Sequence, residues 1–116
     1  MARQEKKDSV LAECVGKAQT VAELIEYAKD SVVSKAILSK SVGTLTLFAF
    51  DAGQSLSEHT APYDAVVQVL DGSARLTIGG QDKIVSEGQI IIMPANVPHA
   101  VNAEERFKML LTMVRA

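Results

Sequence analysis

The chain contains only two histidines, His59 and His99, and they are the residues best able to carry out chemistry. An imidazole can bind a transition metal or act as a general base near neutral pH. A catalytic zinc usually has three protein ligands and a water, so two histidines alone form an incomplete set. The two residues are therefore either a weak metal site that lacks partners, or polar residues hydrogen-bonded to each other or to water.

Composition argues against several other functions. The net charge is −2 and no basic stripe is present, which argues against binding to nucleic-acid phosphates. No apolar stretch reaches the roughly 18 residues of a membrane span, and residues 1–10 are too polar for a secretory signal. The single Cys14 cannot form an internal disulfide, which predicts a reducing, cytoplasmic setting. No Ser-His-Asp set, phosphate loop or cysteine-rich metal cluster is visible.

Most of the chain has the pattern of short β-strands separated by turns. Apolar, β-branched runs end at Gly, Pro or Asp-Gly at near-regular intervals, which predicts seven or eight antiparallel strands in a sandwich or barrel. An Asp-Gly pair between apolar runs favours a β-hairpin because both residues accept a positive φ, so a hairpin is predicted at Asp71-Gly72. The predicted strands are residues 31–38, 44–50, 65–70, 74–78, 83–85, 89–93 and 106–114.

The beginning of the chain has a different pattern. Apolar residues recur at helical spacing within residues 5–18, which predicts a short amphipathic helix. Thr20 and Glu23 have the spacing of a capping box, in which each side chain bonds the other residue's amide, and predict a second helical turn. We therefore divide the chain into an N-terminal segment, residues 1–40, and a β-barrel, residues 41–116.

Residues 53–102 resemble the conserved barrel of the cupin superfamily, in its small single-domain form. Two cupin motifs are matched by the spacing of glycine, histidine and proline in two separated segments. Asn96 stands where the second motif has its second glycine, and asparagine tolerates the positive φ expected there. The matched positions are Gly53, His59 and Gly72 in the first motif, and Gly88, Pro94 and His99 in the second.

The resemblance implies an all-β, antiparallel double-stranded β-helix, or jelly roll. In cupins, three histidines and one glutamate hold a metal ion. His59 and His99 match two of these ligands, whereas Ala61 and Ala65 occupy the positions of the second histidine and the glutamate. The resemblance therefore implies a divalent Fe, Mn, Ni or Zn ion at His59 and His99. It also implies a homodimer, for which the strand at residues 32–38 is the expected contact.

Strand alternation predicts which side chains share the barrel interior. His59, Ala61, Ala65 and Val67 fall on one face if no bulge intervenes. Pro62 can break this register, so the oxygen of Tyr63 or Asp64 is the nearest candidate for a third metal ligand. The alanines leave room for a small organic molecule. The predicted contacts of that molecule are His59, Tyr63, Val67, Met93 and His99.

Two functions of different classes fit these residues. The first is a binding module that holds a small organic ligand, with a weak divalent metal at His59 and His99. The second is a metal-dependent dioxygenase, isomerase or decarboxylase that acts on a small polar substrate. The loss of two ligands to alanines rather than to other donors favours the first. A histidine acting as a metal-free general base is a third reading, but no second catalytic group pairs with it.

Overall fold

The computed structural model describes residues 9–115 and places nearly all of its regular structure in two antiparallel β-sheets. Within this range no helix has the length and apolar character needed to cross a membrane. The ten strands are β1 Ser9–Val10, β2 Val32–Lys40, β3 Gly43–Phe50, β4 Ser55–His59, β5 Asp64–Asp71, β6 Ser73–Ile78, β7 Gln81–Ser86, β8 Ile90–Met93, β9 His99–Asn102 and β10 Phe107–Val114.

The strand order shows a jelly-roll sandwich. The large sheet has the order β1-β2-β3-β10-β5-β8, and the small sheet has the order β4-β9-β6-β7. Every pairing in both sheets is antiparallel. Neighbours in space are thus mostly distant in sequence, as in a jelly roll. The predicted all-β antiparallel class is confirmed.

The core lies between the two sheets and follows the alternation of the strands. On β5, Ala65, Val67 and Val69 are buried, whereas Gln68 is exposed. Successive side chains on a strand point to opposite faces, so one face of β5 lines the interior. Phe50 and Phe107, from the adjacent strands β3 and β10, are fully buried, and their rings stack with centroids 4.6 Å apart. This aromatic pair fills the interior at the end of the sandwich away from the β3–β10 strand ends at Gly43 and Val114.

The hairpin predicted at Asp71-Gly72 is wrong. β5 belongs to the large sheet and β6 to the small sheet, so this connection carries the chain from one sheet to the other. Only Gly72 has a positive φ, at +73°, whereas a type I′ hairpin turn needs two such residues. Gly79 and Gly80, with φ of +57° and +81°, form the tight turn that pairs β6 with β7.

Gly72 is needed for a close approach between backbones. A β-carbon at this position would collide with the carbonyl oxygen of Arg106 and press on Phe107. The crossing connection therefore packs directly against the start of β10. Glycine satisfies both the left-handed conformation and the missing space, which no other residue does.

The amphipathic helix predicted over residues 5–18 is not an α-helix where the structure describes it. Ser9 and Val10 form β1, which pairs with the end of β2, and the Leu11 amide donates to the Ile37 carbonyl at 2.8 Å. The backbone groups of residues 9–11 therefore bond to the edge of β2 and are not available for a helix. A single 3-10 turn, Ala12–Cys14, follows. Residues 5–8 of that prediction lie outside the described range.

A second 3-10 turn, Val21–Glu23, occurs where a helical turn was predicted, but without the capping box. Thr20 makes no side-chain capping hydrogen bond, and the Glu23 amide donates instead to the Thr20 carbonyl at 2.9 Å. A turn of three residues is closed by this backbone bond, so the side chains are not required.

The segment after this turn covers the outer face of the large sheet. Ile25 is buried against Leu47 and Ala49 of β3. Two lysines fix the segment by donating to its carbonyl oxygens: Lys35 to Leu24 at 3.0 Å, and Lys108 to Ala22 at 2.7 Å. The large sheet therefore has apolar cover on both faces, which agrees with the apolar sequence of its strands.

Candidate metal and ligand site

The two histidines meet at one end of the small sheet. His59 ends β4, His99 begins β9, and the register pairs them directly across the two strands. A register shift between Leu56 and His59 sets this pairing. The ring centroids are 4.4 Å apart and the planes are inclined by 69°. The two Nε2 atoms lie 3.2 Å apart, so residues 40 positions apart in the sequence form one paired group.

The other ring nitrogen of each histidine faces a backbone carbonyl oxygen. His59 Nδ1 lies 2.8 Å from the Ser57 oxygen, and His99 Nδ1 lies 3.2 Å from the Val97 oxygen. A carbonyl oxygen only accepts hydrogen bonds, so each Nδ1 carries the proton when these bonds form. Each neutral imidazole then has an unprotonated Nε2, and the two lone pairs face each other. This arrangement requires a positive charge or a proton between the two nitrogens.

Three arrangements satisfy the facing nitrogens. In the first, an imidazolium protonated on both nitrogens keeps its Nδ1 bond and donates from Nε2 to the other ring. In the second, one neutral imidazole carries its proton on Nε2 and donates to the other, but it then loses the bond from its own Nδ1. The longer Nδ1 contact belongs to His99, so its bond to Val97 is the one more readily given up. In the third, both Nε2 atoms bind one metal ion and both carbonyl bonds remain. Metal-ligating histidines usually donate their second ring N–H in this way.

Burial favours the neutral, metal-binding form of His99. Its side chain is 5% exposed, whereas His59 is exposed. Burial lowers the pKa of His99 below its ordinary value of 6.5, the positive charge of a protonated His59 lowers it further, and the bond to Val97 partly opposes both. His99 is therefore neutral at pH 7, which is the state that a metal ligand requires.

The distance between the two nitrogens fits a shared metal ion. Two Zn–N bonds of about 2.0–2.1 Å at the tetrahedral angle place their nitrogens about 3.3 Å apart. The observed separation of the Nε2 atoms is 3.2 Å. The donor atoms, their protonation and their spacing therefore suit two positions of a four-coordinate site.

The structure does not bring a third acidic or histidine ligand to this pair. Within residues 9–115, no three His, Cys, Asp or Glu side chains are grouped closely enough to hold a metal. Asp64, one predicted third donor, instead accepts the Ala95 amide at 2.9 Å through its Oδ1 atom. The ring of Tyr63, the other predicted donor, lies 5.0 Å from the guanidinium carbon of Arg115. The pair thus supplies two ligands from the described chain.

The loop before His99 has the conformation that the sequence predicts. Asn96 has a φ of +66°, as expected for a residue in the place of a glycine. Its amide donates to the Ala61 carbonyl at 2.8 Å and so joins this loop to the segment after His59. The two histidine-bearing segments are therefore held together on both sides of the pair.

The remaining predicted contact residues lie deeper in the interior. Val67 is fully buried, and Met93 of β8 is 3% exposed and pairs with Ala65 of β5. Both belong to the core between the sheets. Their contact with a bound molecule stays a prediction. Sequence reasoning gave no role to Arg115, which lies two residues after Met113 and just beyond the end of β10.

The fold agrees with comparisons to known proteins. Residues 46–114 match the family model of the cupin domain, and the chain belongs to this family. The expectation drawn from the two motifs is confirmed at the level of the family.

Several similar proteins have no described function. A conserved protein of unknown function from Streptococcus pyogenes has a solved structure that is 33% identical, covers 94% of each chain and has a TM-score of 0.86. A cupin 2 conserved barrel protein from Leptotrichia buccalis is 45% identical over 81% of this chain and 46% of its own, with a TM-score of 0.79. An uncharacterized protein from Streptomyces coelicolor is 36% identical over 53 residues, which span about half of each protein.

Proposed function

We propose that this cupin is a binding module in which His59 and His99 hold a divalent metal ion that receives a small organic ligand. The observation that carries the proposal is the facing pair of Nε2 atoms, 3.2 Å apart, with each Nδ1 at a carbonyl oxygen. Imidazole nitrogen suits Zn, Cu, Fe and Ni. With two protein ligands, the remaining coordination positions are open to water or to oxygen atoms of the ligand.

Binding is favoured over the metal-dependent dioxygenase, isomerase or decarboxylase considered from the sequence. A bound metal supplies Lewis-acid character to an oxygen atom that it holds. Isomerisation also requires a group that moves a proton at the reacting atom. The carboxylate of Asp64, the nearest acidic candidate from the sequence, is engaged with the Ala95 amide. The chain's own residues therefore support holding a ligand more than transforming it.

The proposal predicts weak but specific metal binding. Structural zinc sites with four ligands are worth about 10–16 kcal/mol, so two ligands correspond to a Kd of about 1–200 μM. Isothermal titration of the metal-free protein with Zn²⁺ at pH 7.5 should give one site in this range. His59→Ala and His99→Ala should each weaken binding by at least about tenfold, because each removes one of two ligands.

The neighbouring Glu58→Ala variant is the matched control, because Glu58 precedes His59 on the strand and is exposed. Glu58 is not grouped with the two histidines as a possible metal ligand in residues 9–115, so the zinc affinity of this variant should equal that of the wild type. Thermal unfolding of each variant would show that the fold is intact. Unchanged zinc affinity in the variant that lacks both histidines would refute the metal site.

We also propose that the protein is a homodimer that associates along β2. Among the described residues, β1 covers only the end of this edge, at Leu38 and Ser39, and the Leu11 amide reaches Ile37. Residues 32–36 remain as an open edge, which natural proteins usually cover. Sedimentation analysis should give twice the 12.4 kDa chain mass. A monomer at micromolar concentration would contradict this.

Cytoplasmic location also stays a prediction.

A further inference from the structure

Arg115 directly follows β10, and the alternation of that strand indicates that its side chain continues the inner face of the large sheet. On β10, Phe107 and Met109 are buried in the core, and Leu111 and Met113 pack against it. These are alternate residues, and Arg115 is the next in the series, so its side chain projects from the same face. It stands beyond Met113 towards the end of the sandwich where β10 and β5 terminate their pairing, at Val114 and Asp64.

The guanidinium of Arg115 is held in place but not neutralised by the described chain. Its Nη1 atom donates to the carbonyl oxygens of Lys40 and Ser41, at 3.3 and 3.4 Å. Its Nε atom is buried and has no hydrogen-bond partner among residues 9–115. Neither of the two ion pairs between residues 9–115 includes Arg115. A planar guanidinium that no described acidic side chain neutralises is suited to bidentate binding of an oxyanion.

A cleft of about 410 Å³ opens beside this guanidinium. It is lined by Ser39, Lys40, Ser41 and Arg115, and therefore offers two hydroxyl groups, an ammonium and a guanidinium, with no acidic side chain. This set of donors is complementary to a negatively charged group.

Tyr63 lies in the chain segment between His59 and β5 and contacts the Arg115 guanidinium. This segment leads from His59 at the end of β4 to Asp64 at the start of β5, and so crosses from the small sheet to the large one. The Tyr63 ring contacts the Arg115 guanidinium at 5.0 Å. The segment from His59 to Asp64 therefore places the Arg115 cation and the imidazole pair at the same end of the sandwich.

We propose that the cleft at Arg115 binds the anionic group, a carboxylate or a phosphate, of the small organic ligand. The inference rests on the proposed function, because the metal at the histidine pair would hold another oxygen of the same molecule. The positive charge of Arg115 selects a negatively charged ligand. The Tyr63 ring stabilises the position of the guanidinium through a cation–π contact. A neutral molecule of the same size leaves the cation without a partner and binds more weakly.

The test uses metal-free protein at low ionic strength, so that the cleft is measured without the histidine site. Succinate, its neutral diamide and inorganic phosphate are titrated while amide resonances are followed by NMR. Succinate or phosphate should shift the amides of residues 39–41, and the diamide should not. Arg115→Gln should weaken anion binding by about tenfold or more, and Arg115→Lys should restore only part of it.

Arg75→Gln is the matched control, because Arg75 lies on the outer face of the small sheet and pairs with Glu104 at 3.1 Å. It removes the same charge from the molecule and should leave anion binding unchanged. No shift with either anion, or equal binding by the wild type and Arg115→Gln, would overturn the inference. If the protein binds the anion but fails to bind Zn²⁺, the result would support the anion site in the cleft and refute the metal site. The stronger of the two anions identifies the ligand's charged group.

Discussion

The Ala61→His variant is expected to bind Zn²⁺ about 100-fold more tightly than the wild type, because it adds a third imidazole at the position where cupins carry one. Dividing the 10–16 kcal/mol of a four-ligand zinc site equally gives roughly 2.5–4 kcal/mol per ligand, which corresponds to about two to three orders of magnitude in Kd. Ala61 is only partly buried, so the larger side chain does not have to enter the core. Titration calorimetry with Zn²⁺ measures the change.

The control for this gain is Ala52→His, which adds an exposed histidine on the turn before Gly53. This turn lies at the other end of β4 from His59, so the variant should match the wild type in zinc affinity. A second test combines Ala61→His with His99→Ala, which should lose most of the gain. If Ala61→His binds zinc no more tightly than Ala52→His, position 61 does not face the pair, and the two-histidine site cannot be completed from there.

The Gly72→Ala variant is expected to lose about 3 kcal/mol of unfolding free energy, and its Tm should fall by roughly 10 °C or more. Two effects add at this position. The φ of +73° is strained for any residue with a β-carbon, and that carbon would collide with the Arg106 carbonyl oxygen. Backbone atoms on both sides must move, which disturbs the packing of Phe107. Urea denaturation at 25 °C measures the loss.

Gly53→Ala separates the two effects. Gly53 has a similar φ of +85°, but a β-carbon there would meet no atom within 4 Å. Its substitution should therefore cost only the conformational strain, about 1 kcal/mol. The difference between the two variants reports the collision at Gly72. Equal losses would mean that the connection between β5 and β6 can shift away from β10 at little cost.

Much of the fold was predictable from local patterns. Alternation and β-branched composition placed β2, β3, β5, β6, β7, β8 and β10 close to their observed positions. β4 and β9 were not predicted as strands, because their sequences are short and polar. The hairpin error at Asp71-Gly72 has a clear cause: a turn signal says that the chain reverses, but not which sheet receives the next strand.

The site was predictable only in outline. The meeting of His59 and His99 followed from the resemblance to cupins, since nothing local in either segment specifies the other. The contacts of both Nδ1 atoms with carbonyl oxygens depend on the orientation of the imidazole rings. Ring orientation cannot be predicted from the sequence. Arg115 required the position of β10 beside β5 and the contact with Tyr63. Charge and composition alone do not distinguish it from a surface arginine.

The histidines come from strands that are adjacent in the small sheet but distant in the sequence. In the unfolded chain, 40 positions separate the two imidazoles, and bringing them together costs loop-closure entropy. A cation that needs both rings therefore has almost no affinity for the denatured ensemble. Because it binds only the folded state, it raises the free energy of unfolding and the Tm. At a concentration 100 times the Kd, this increase amounts to about 2.7 kcal/mol, so a thermal-shift screen of metals reports occupancy directly.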